Sequence, residues 1–208
     1  MAYGIWRGEF IKDSDVKERI TDPLLISLYE KQKAFSQFAL KAENHKWIDD
    51  ATALICDIIH RGNKVFICGN GGSLCQAMHF AEEGRFRKDR EPLPVIALAD
   101  ASHITCVAND FGFDAVFARP IQALGKPDDL LIVLSTGGNS PNILRAIDMA
   151  NDKQMKVIGL LGRDGGKARG GCDFYLIAPG ETSDTIQEIH HVALHLLVEG
   201  IERKMGLT

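Results

Sequence analysis

The sequence predicts a doubly wound α/β domain, a five-stranded parallel sheet flanked by helices, with two further helices ahead of it. Three observations carry that prediction. Five short, continuously apolar runs recur along the chain, stretches of helical periodicity alternate with them, and two glycine-rich segments each stand directly between an apolar run and a helix-like one. Apolar runs without polar alternation mark strands buried on both faces, as in a parallel sheet covered by crossover helices.

Asp22 and Pro23 read as an N-cap and first-turn pair opening the first helix, and WIDDATALICDIIH (47–60) has apolar residues at helical spacing. The strands follow as KVFIC (64–68), PVIALA (94–99), DLLIVLS (129–135), KVIGLL (156–161) and DFYLIA (173–178). Between the third and fourth lies PNILRAIDMANDKQ, which Ser140 can cap and Pro141 can start. The last element, roughly Thr185 to Met205 with Gly206 as its stop, carries Ile186, Ile189, Ala193, Leu194, Leu197 and Ile201 on its apolar side. No internal repeat, low-complexity tract or linker divides the chain. The expected organisation is an N-terminal extension over 1–22 and a single domain over 23–208.

Composition narrows the function classes. The 208 residues, 45% hydrophobic and 25% charged, suffice for one well-buried core. A net charge of -4 argues against a dedicated nucleic-acid binder; the one basic cluster, RFRKDR (85–90), is interrupted by Asp89. Cys56, Cys68, Cys75, Cys106 and Cys172 are odd in number and widely spaced, which suits reduced thiols rather than a disulfide framework. No apolar stretch approaches the roughly 20 residues needed to span a bilayer, and the charged first 20 residues lack a signal peptide's apolar region. The expectation is a cytoplasmic protein without membrane or nucleic-acid partners.

In such folds ligands lie beyond the carboxyl ends of the strands. Two loops there are unusual: CGNGGS (68–73) and STGGNS (135–140). Each joins glycines, which let backbone N–H groups approach an anion, to hydroxyl or amide side chains at the start of a helix whose dipole favours negative charge. The first lacks the third glycine of a dinucleotide fingerprint, Leu74 standing in its place, and neither holds the Gly-Lys-Ser/Thr of a P-loop. A small phosphorylated metabolite fits better than a nucleotide.

His79 and Glu83 are four residues apart on the helix after the first loop, so they share a face about 6 Å apart along the axis. Such a pair can ligate a metal together, or the carboxylate can act as a base that the imidazole orients. QEIHHVALH (187–195) adds His190, His191 and His195 on the last helix. For His191 a core or exposed imidazole without chemistry is an equally good reading, and for His103 a better one.

CGNGGSLCQAMHFAEE (68–83), DASHITCVANDFGF (100–113), STGGNSPNI (135–143), GRDGGK (162–167) and IQEIHHVALH (186–195), taken together and in order, resemble the phosphoheptose isomerases, enzymes built on a sugar isomerase (SIS) domain with a flavodoxin-like sheet. The resemblance runs from about Pro23 to the C-terminus. It implies conversion of D-sedoheptulose 7-phosphate to D-glycero-D-manno-heptose 7-phosphate, the first step toward nucleotide-activated heptose, in a cytoplasmic homotetramer with sites between subunits. By position it assigns Asn70, Gly71, Gly72, Ser73, Glu83, Asn109, Asp110, Ser135, Thr136, Gly137, Ser140 and Gln187 to the sugar phosphate. A zinc ion falls to His79, Glu83, Gln187 and His195, and the acid-base roles to Glu83 and His195. This chain departs from the pattern in three places: Gly137 stands where many members have serine, the segment after Glu83 is about two residues shorter, and the first 20 or so residues have no counterpart.

Moving a carbonyl from C2 to C1 requires a base at C1, a stabilised enediol and an acid, in a site closed to water. A carboxylate and an imidazole suffice. A carboxylate bound to zinc is a weaker base, so Glu83 need not do both jobs with one oxygen. Gln187 and His195 lie eight residues apart, about 12 Å along a straight helix. Either that helix begins after Gln187 or the two meet one metal from different chains. The competing function is a non-catalytic SIS-domain sensor or replication-initiator-binding adaptor, whose relatives keep the glycine loops and differ at the acid and base.

Overall fold

The computed structural model describes residues 21–86 and 90–207. The N-terminal extension proposed over 1–22 therefore lies, apart from its last two residues, outside the described residues, as do 87–89 of the basic cluster. The helices are α1 (Pro23–Leu40), α2 (Ala42–His60), α3 (Gly72–Phe86), α4 (Ala101–Phe111), α5 (Ala118–Leu124), α6 (Pro141–Asp152) and α7 (Ser183–Lys204). The strands are β1 (Val65–Gly69), β2 (Val95–Ala97), β3 (Leu130–Ser135), β4 (Lys156–Gly162) and β5 (Phe174–Ala178). Short 3-10 turns cover Phe113–Ala115 and Lys167–Gly171.

All neighbouring strands pair in parallel, in the order β2-β1-β3-β4-β5. The continuous apolar runs have the expected cause. In β3, Leu130, Ile132 and Leu134 point into the core beneath α1, α2, α3 and α7, while Leu131 and Val133 point into the core beneath α4, α5 and α6. β1 divides likewise, Val65 and Ile67 against Phe66 and Cys68. Each fully buried aliphatic side chain contributes about 1.5–3 kcal/mol, so a polar residue at any of these positions works against one of the two cores.

The predicted helix starts at Pro23 and Pro141 are both present. Asp22 Oδ1 accepts from Leu24 N–H at 2.9 Å with Pro23 in the first turn of α1, and Pro141 opens α6 after Ser140. β2 is shorter than the run PVIALA; it is an edge strand whose ladder stops at Ala97. α7 begins at Ser183, before Gln187, so Gln187 and His195 sit on one continuous helix. Among the described residues all five cysteines are free, and no helix is long and apolar enough to cross a membrane.

Candidate active site

The strand order reverses between β1 and β3, and the two glycine-rich loops leave the sheet there side by side. They are joined by a reciprocal amide pair. Asn70 Nδ2 donates to Asn142 Oδ1 at 2.9 Å and Asn142 Nδ2 donates to Asn70 Oδ1 at 2.7 Å. Asn142 is buried and was not singled out from sequence; Asn70, expected to bind sugar, is engaged in holding the loops together.

The second loop is pinned from behind. Buried Ser135 accepts from Gly138 N–H through its hydroxyl at 3.0 Å, and Gly138 C=O accepts from Ala168 N–H at 2.9 Å. Asn139 Oδ1 accepts from Lys167 N–H at 3.1 Å. The motif GRDGGK thus serves as the wall against which STGGNS packs. Thr136 Oγ1 meets Ser183 Oγ, at the start of α7, at 3.2 Å. Ser140 precedes α6 without a side-chain bond to its backbone, leaving its hydroxyl for a ligand at the helix N-terminus. Gly137 has open space on its side-chain face; the nearest atom to a Cβ there is Arg163 Nη1 at 3.9 Å. Arg163, unremarked in the sequence, therefore brings a cation to this loop. Removing the Ser140 hydroxyl should weaken binding of a charged group by about 1.5–3 kcal/mol. Ser140→Ala is expected to raise KM roughly ten- to a hundredfold with an unchanged melting temperature, whereas Ser135→Ala also loosens the turn; unchanged kinetics in Ser140→Ala would remove this hydroxyl from the site.

α3 and α7 run side by side in the same direction. Gln187 Nε2 donates to Ser73 Oγ at 3.3 Å, Gln76 Nε2 donates to Gln187 C=O at 2.6 Å, and a Cβ on Gly72 would stand 2.7 Å from Gln187 Oε1. One to two turns further, His79 Nε2 lies 3.1 Å from His195 Nε2, and the His191 ring lies 5.1 Å from that of His79 and 4.4 Å from that of His195, centroid to centroid. One ring nitrogen from each of His79, His191 and His195 falls within 4.8 Å of the others. Glu83 Oε1 is 4.0 Å from His79 Nε2, and Glu82 Oε2 is 3.5 Å from His79 Nδ1. Beyond Glu83, the buried guanidinium of Arg90 donates to the carbonyls of Glu83 and Gly84, both at 2.8 Å, and to Glu202 Oε1 on α7 at 3.1 Å. A residue that reads as part of a basic patch is instead a clamp on the end of the helix bearing Glu83.

The three consecutive-face histidines of α7 separate by role. His190 is fully buried against the sheet, its Nε2–H donating to Leu161 C=O at 3.0 Å, and burial pushes its pKa down to about 4 against that hydrogen bond. It is a neutral core residue. His191 faces the cluster; burial lowers its pKa, the His195 and His79 imidazoles act in the same direction, and Glu83 opposes them. Imidazoles crowded beside a carboxylate are the donor set of a transition-metal site, so the residues fit zinc. The structure does not bring Gln187 to the imidazoles: on one continuous helix it lies about 12 Å back along the axis from His195. That removes the possibility that the helix begins after Gln187. Asn109 and Asp110 are exposed in the last turn of α4 and hydrogen-bond to each other at 2.8 Å.

Comparison with known proteins places this arrangement. The SIS domain family model matches residues 29–162. The phosphoheptose isomerase of Fusobacterium nucleatum is 48% identical over 184 residues, which cover 87% of this chain and 95% of that protein. Among solved structures, a phosphoheptose isomerase from Francisella tularensis superposes with a TM-score of 0.82 at 35% identity, covering 86% of this chain and 96% of that one. The phosphoheptose isomerase of Neisseria gonorrhoeae gives 0.80 at 33% identity, covering 90% and 99%.

Proposed function

This chain belongs to the phosphoheptose isomerase family of SIS-domain proteins, and we propose that its residues divide the isomerisation of D-sedoheptulose 7-phosphate between a phosphate end and a proton-transfer end. The observation that carries this division is the parallel packing of α3 and α7. It strings the glycine loops, Ser73 and Gln187 at one end and His79, His195 and Glu83 further along; Ser73 and His79 are separated by about 9 Å of helix. An extended sugar held by a terminal phosphate lies along such a strip with its carbonyl at the histidines.

In this reading Ser135, Thr136, Gly137 and Ser140, with Asn70, Gly71, Gly72 and Ser73, bind phosphate and sugar, and Gln187, Asn109 and Asp110 contact sugar hydroxyls. Remote phosphate binding holds the reacting carbons in place. Glu83 takes a proton from C1 and delivers it to C2. His195 carries a proton from O1 to O2, so the carbonyl moves from C2 to C1 with nothing lost. Zinc held by His79, Glu83, Gln187 and His195 would supply Lewis-acid polarisation of the carbonyl. A metal shared by Gln187 and His195 takes them from different chains, given their separation along α7.

That requirement joins a second observation in support of a homotetramer with sites between subunits. α1 exposes Leu24, Leu25, Ile26, Leu28, Phe35 and Leu40, and a concavity of about 500 Å³ opens beside it between α2 and α7. Exposed apolar side chains beside an apolar concavity support an interface there. Light scattering at micromolar concentration is expected to give four chains per particle; a fully active monomer contradicts the shared site. A cytoplasmic location accompanies this reading.

A panel of phosphosugars tests the substrate. kcat/KM should be highest for sedoheptulose 7-phosphate and lower for fructose 6-phosphate and glucosamine 6-phosphate. Preference for a hexose phosphate would keep the proton-transfer machinery and overturn the substrate.

A further inference from the structure

We infer that His191 completes a three-imidazole metal site contained in a single chain, with His79 and His195 as the other two ligands. The inference deepens the zinc part of the reading above and does not depend on the isomerisation. His191 and His195 are spaced to share one face of α7, and α3 delivers His79 opposite them, so three nitrogens converge within 4.8 Å without help from another subunit. Two nitrogens bound to one tetrahedral zinc at about 2.0–2.1 Å stand about 3.3 Å apart. The 3.1 Å between His79 Nε2 and His195 Nε2 is already that edge.

Two further observations separate a metal site from a stack of hydrogen-bonded rings. His191 Nδ1 is buried and has no hydrogen-bond partner, which leaves an imidazole lone pair or N–H unsatisfied in a cluster that a cation would satisfy. Gln187 is committed elsewhere, its amide resting against Gly72 and donating to Ser73 Oγ, two turns from His195. His191 therefore supplies within the chain the ligand that Gln187 has to bring from a partner. Glu83 Oε1, 4.0 Å from His79 Nε2, stands next to the cluster as a source of oxygen for a fourth position. Imidazole donors suit zinc and the later first-row metals.

The test uses the full-length protein, stripped by a chelator and titrated with Co2+, followed by zinc competition. The wild type should bind one Co2+ per chain with visible d–d absorption, and zinc-edge X-ray absorption of the zinc-loaded protein should count three imidazoles. His191→Leu should weaken binding about 10- to 100-fold or more, given that loss of a mere second-layer partner costs that much. Circular dichroism and a thermal melt establish that His191→Leu is folded, and the imidazole count on wild-type protein stands without any variant. Two imidazoles in the wild type, or unchanged metal binding in a folded His191→Leu, overturn the inference. Isomerase activity is assayed on the same samples. A metal held by three imidazoles in a protein without isomerase activity sinks the catalytic reading and keeps this one; an active isomerase whose metal is untouched by His191→Leu does the reverse.

Discussion

Glu83→Gln is expected to lower kcat by about 100- to 10,000-fold, the range of general-base effects, while leaving the fold intact and sugar phosphate still bound. The amide keeps the volume of the carboxylate, but it accepts no proton from carbon. The local frame survives because Arg90 holds the main-chain carbonyls of Glu83 and Gly84, not the carboxylate, and its own charge is met by Glu202. Exchange of the C1 proton with deuterated solvent should disappear together with turnover. His195→Gln should depress turnover as well, yet retain some C1 exchange, since removal of that proton belongs to Glu83. Near-normal exchange in Glu83→Gln moves the base to another group, with Glu82 and His195 the first candidates.

The second large effect concerns the architecture behind the phosphate end. Gly138 has φ +63, and a Cβ on it would stand 1.9 Å from Gly165 C=O and 2.4 Å from Gly165 C. The obstacle is backbone, so no side-chain rotation relieves it. Gly138→Ala must displace GRDGGK from STGGNS and strain its own main chain, at a cost of about 3 kcal/mol or more. For a chain of this size that lowers Tm by roughly 6–12 °C, and KM should rise because Ser135, Thr136 and Ser140 lose their common frame. Gly137→Ser is the paired control: its side-chain face is open, with Arg163 Nη1 at 3.9 Å, and stability should stay within about 0.5 kcal/mol. Equal melting temperatures for the two variants would show that the contact between the loops carries no stability.

The strands, the glycine loops, the cap at Asp22 and the helix start at Pro141 were legible in the sequence because each is a local signal; Ser140 takes the N-cap position but makes no side-chain capping bond. An unbroken apolar run such as LLIVL has to be covered on both faces, and a glycine-rich segment between such a run and a helix has to pass the carboxyl edge of the sheet. What escaped depends on where separate elements meet. His190 and His191 are neighbours in sequence, but the turn of about 100° per residue sends one to Leu161 under the sheet and the other to His79. Periodicity alone had a signal for this: 190 falls in register with the apolar positions 186, 189, 193 and 197, while 191 falls in register with 195. Asn142 and Arg90 had none. The first is the second residue of an ordinary helix, and its value lies in Asn70 across the sheet reversal; the second ends a charged run, and only the approach of α7 buries it with Glu202.

Isomerisation of a heptose phosphate by the wild-type protein is tested by incubating pure protein with sedoheptulose 7-phosphate in deuterated buffer and following the sugar by NMR. New aldose signals of a heptose 7-phosphate are expected, with solvent deuterium incorporated at C1 of recovered ketose and at C2 of product to the extent that the Glu83 proton exchanges with water during the enediol's lifetime. Sedoheptulose 7-phosphate that binds, shown by line broadening, and yet gives neither aldose nor exchange at C1 would rule out the isomerase and favour a sensor or adaptor built on the same fold.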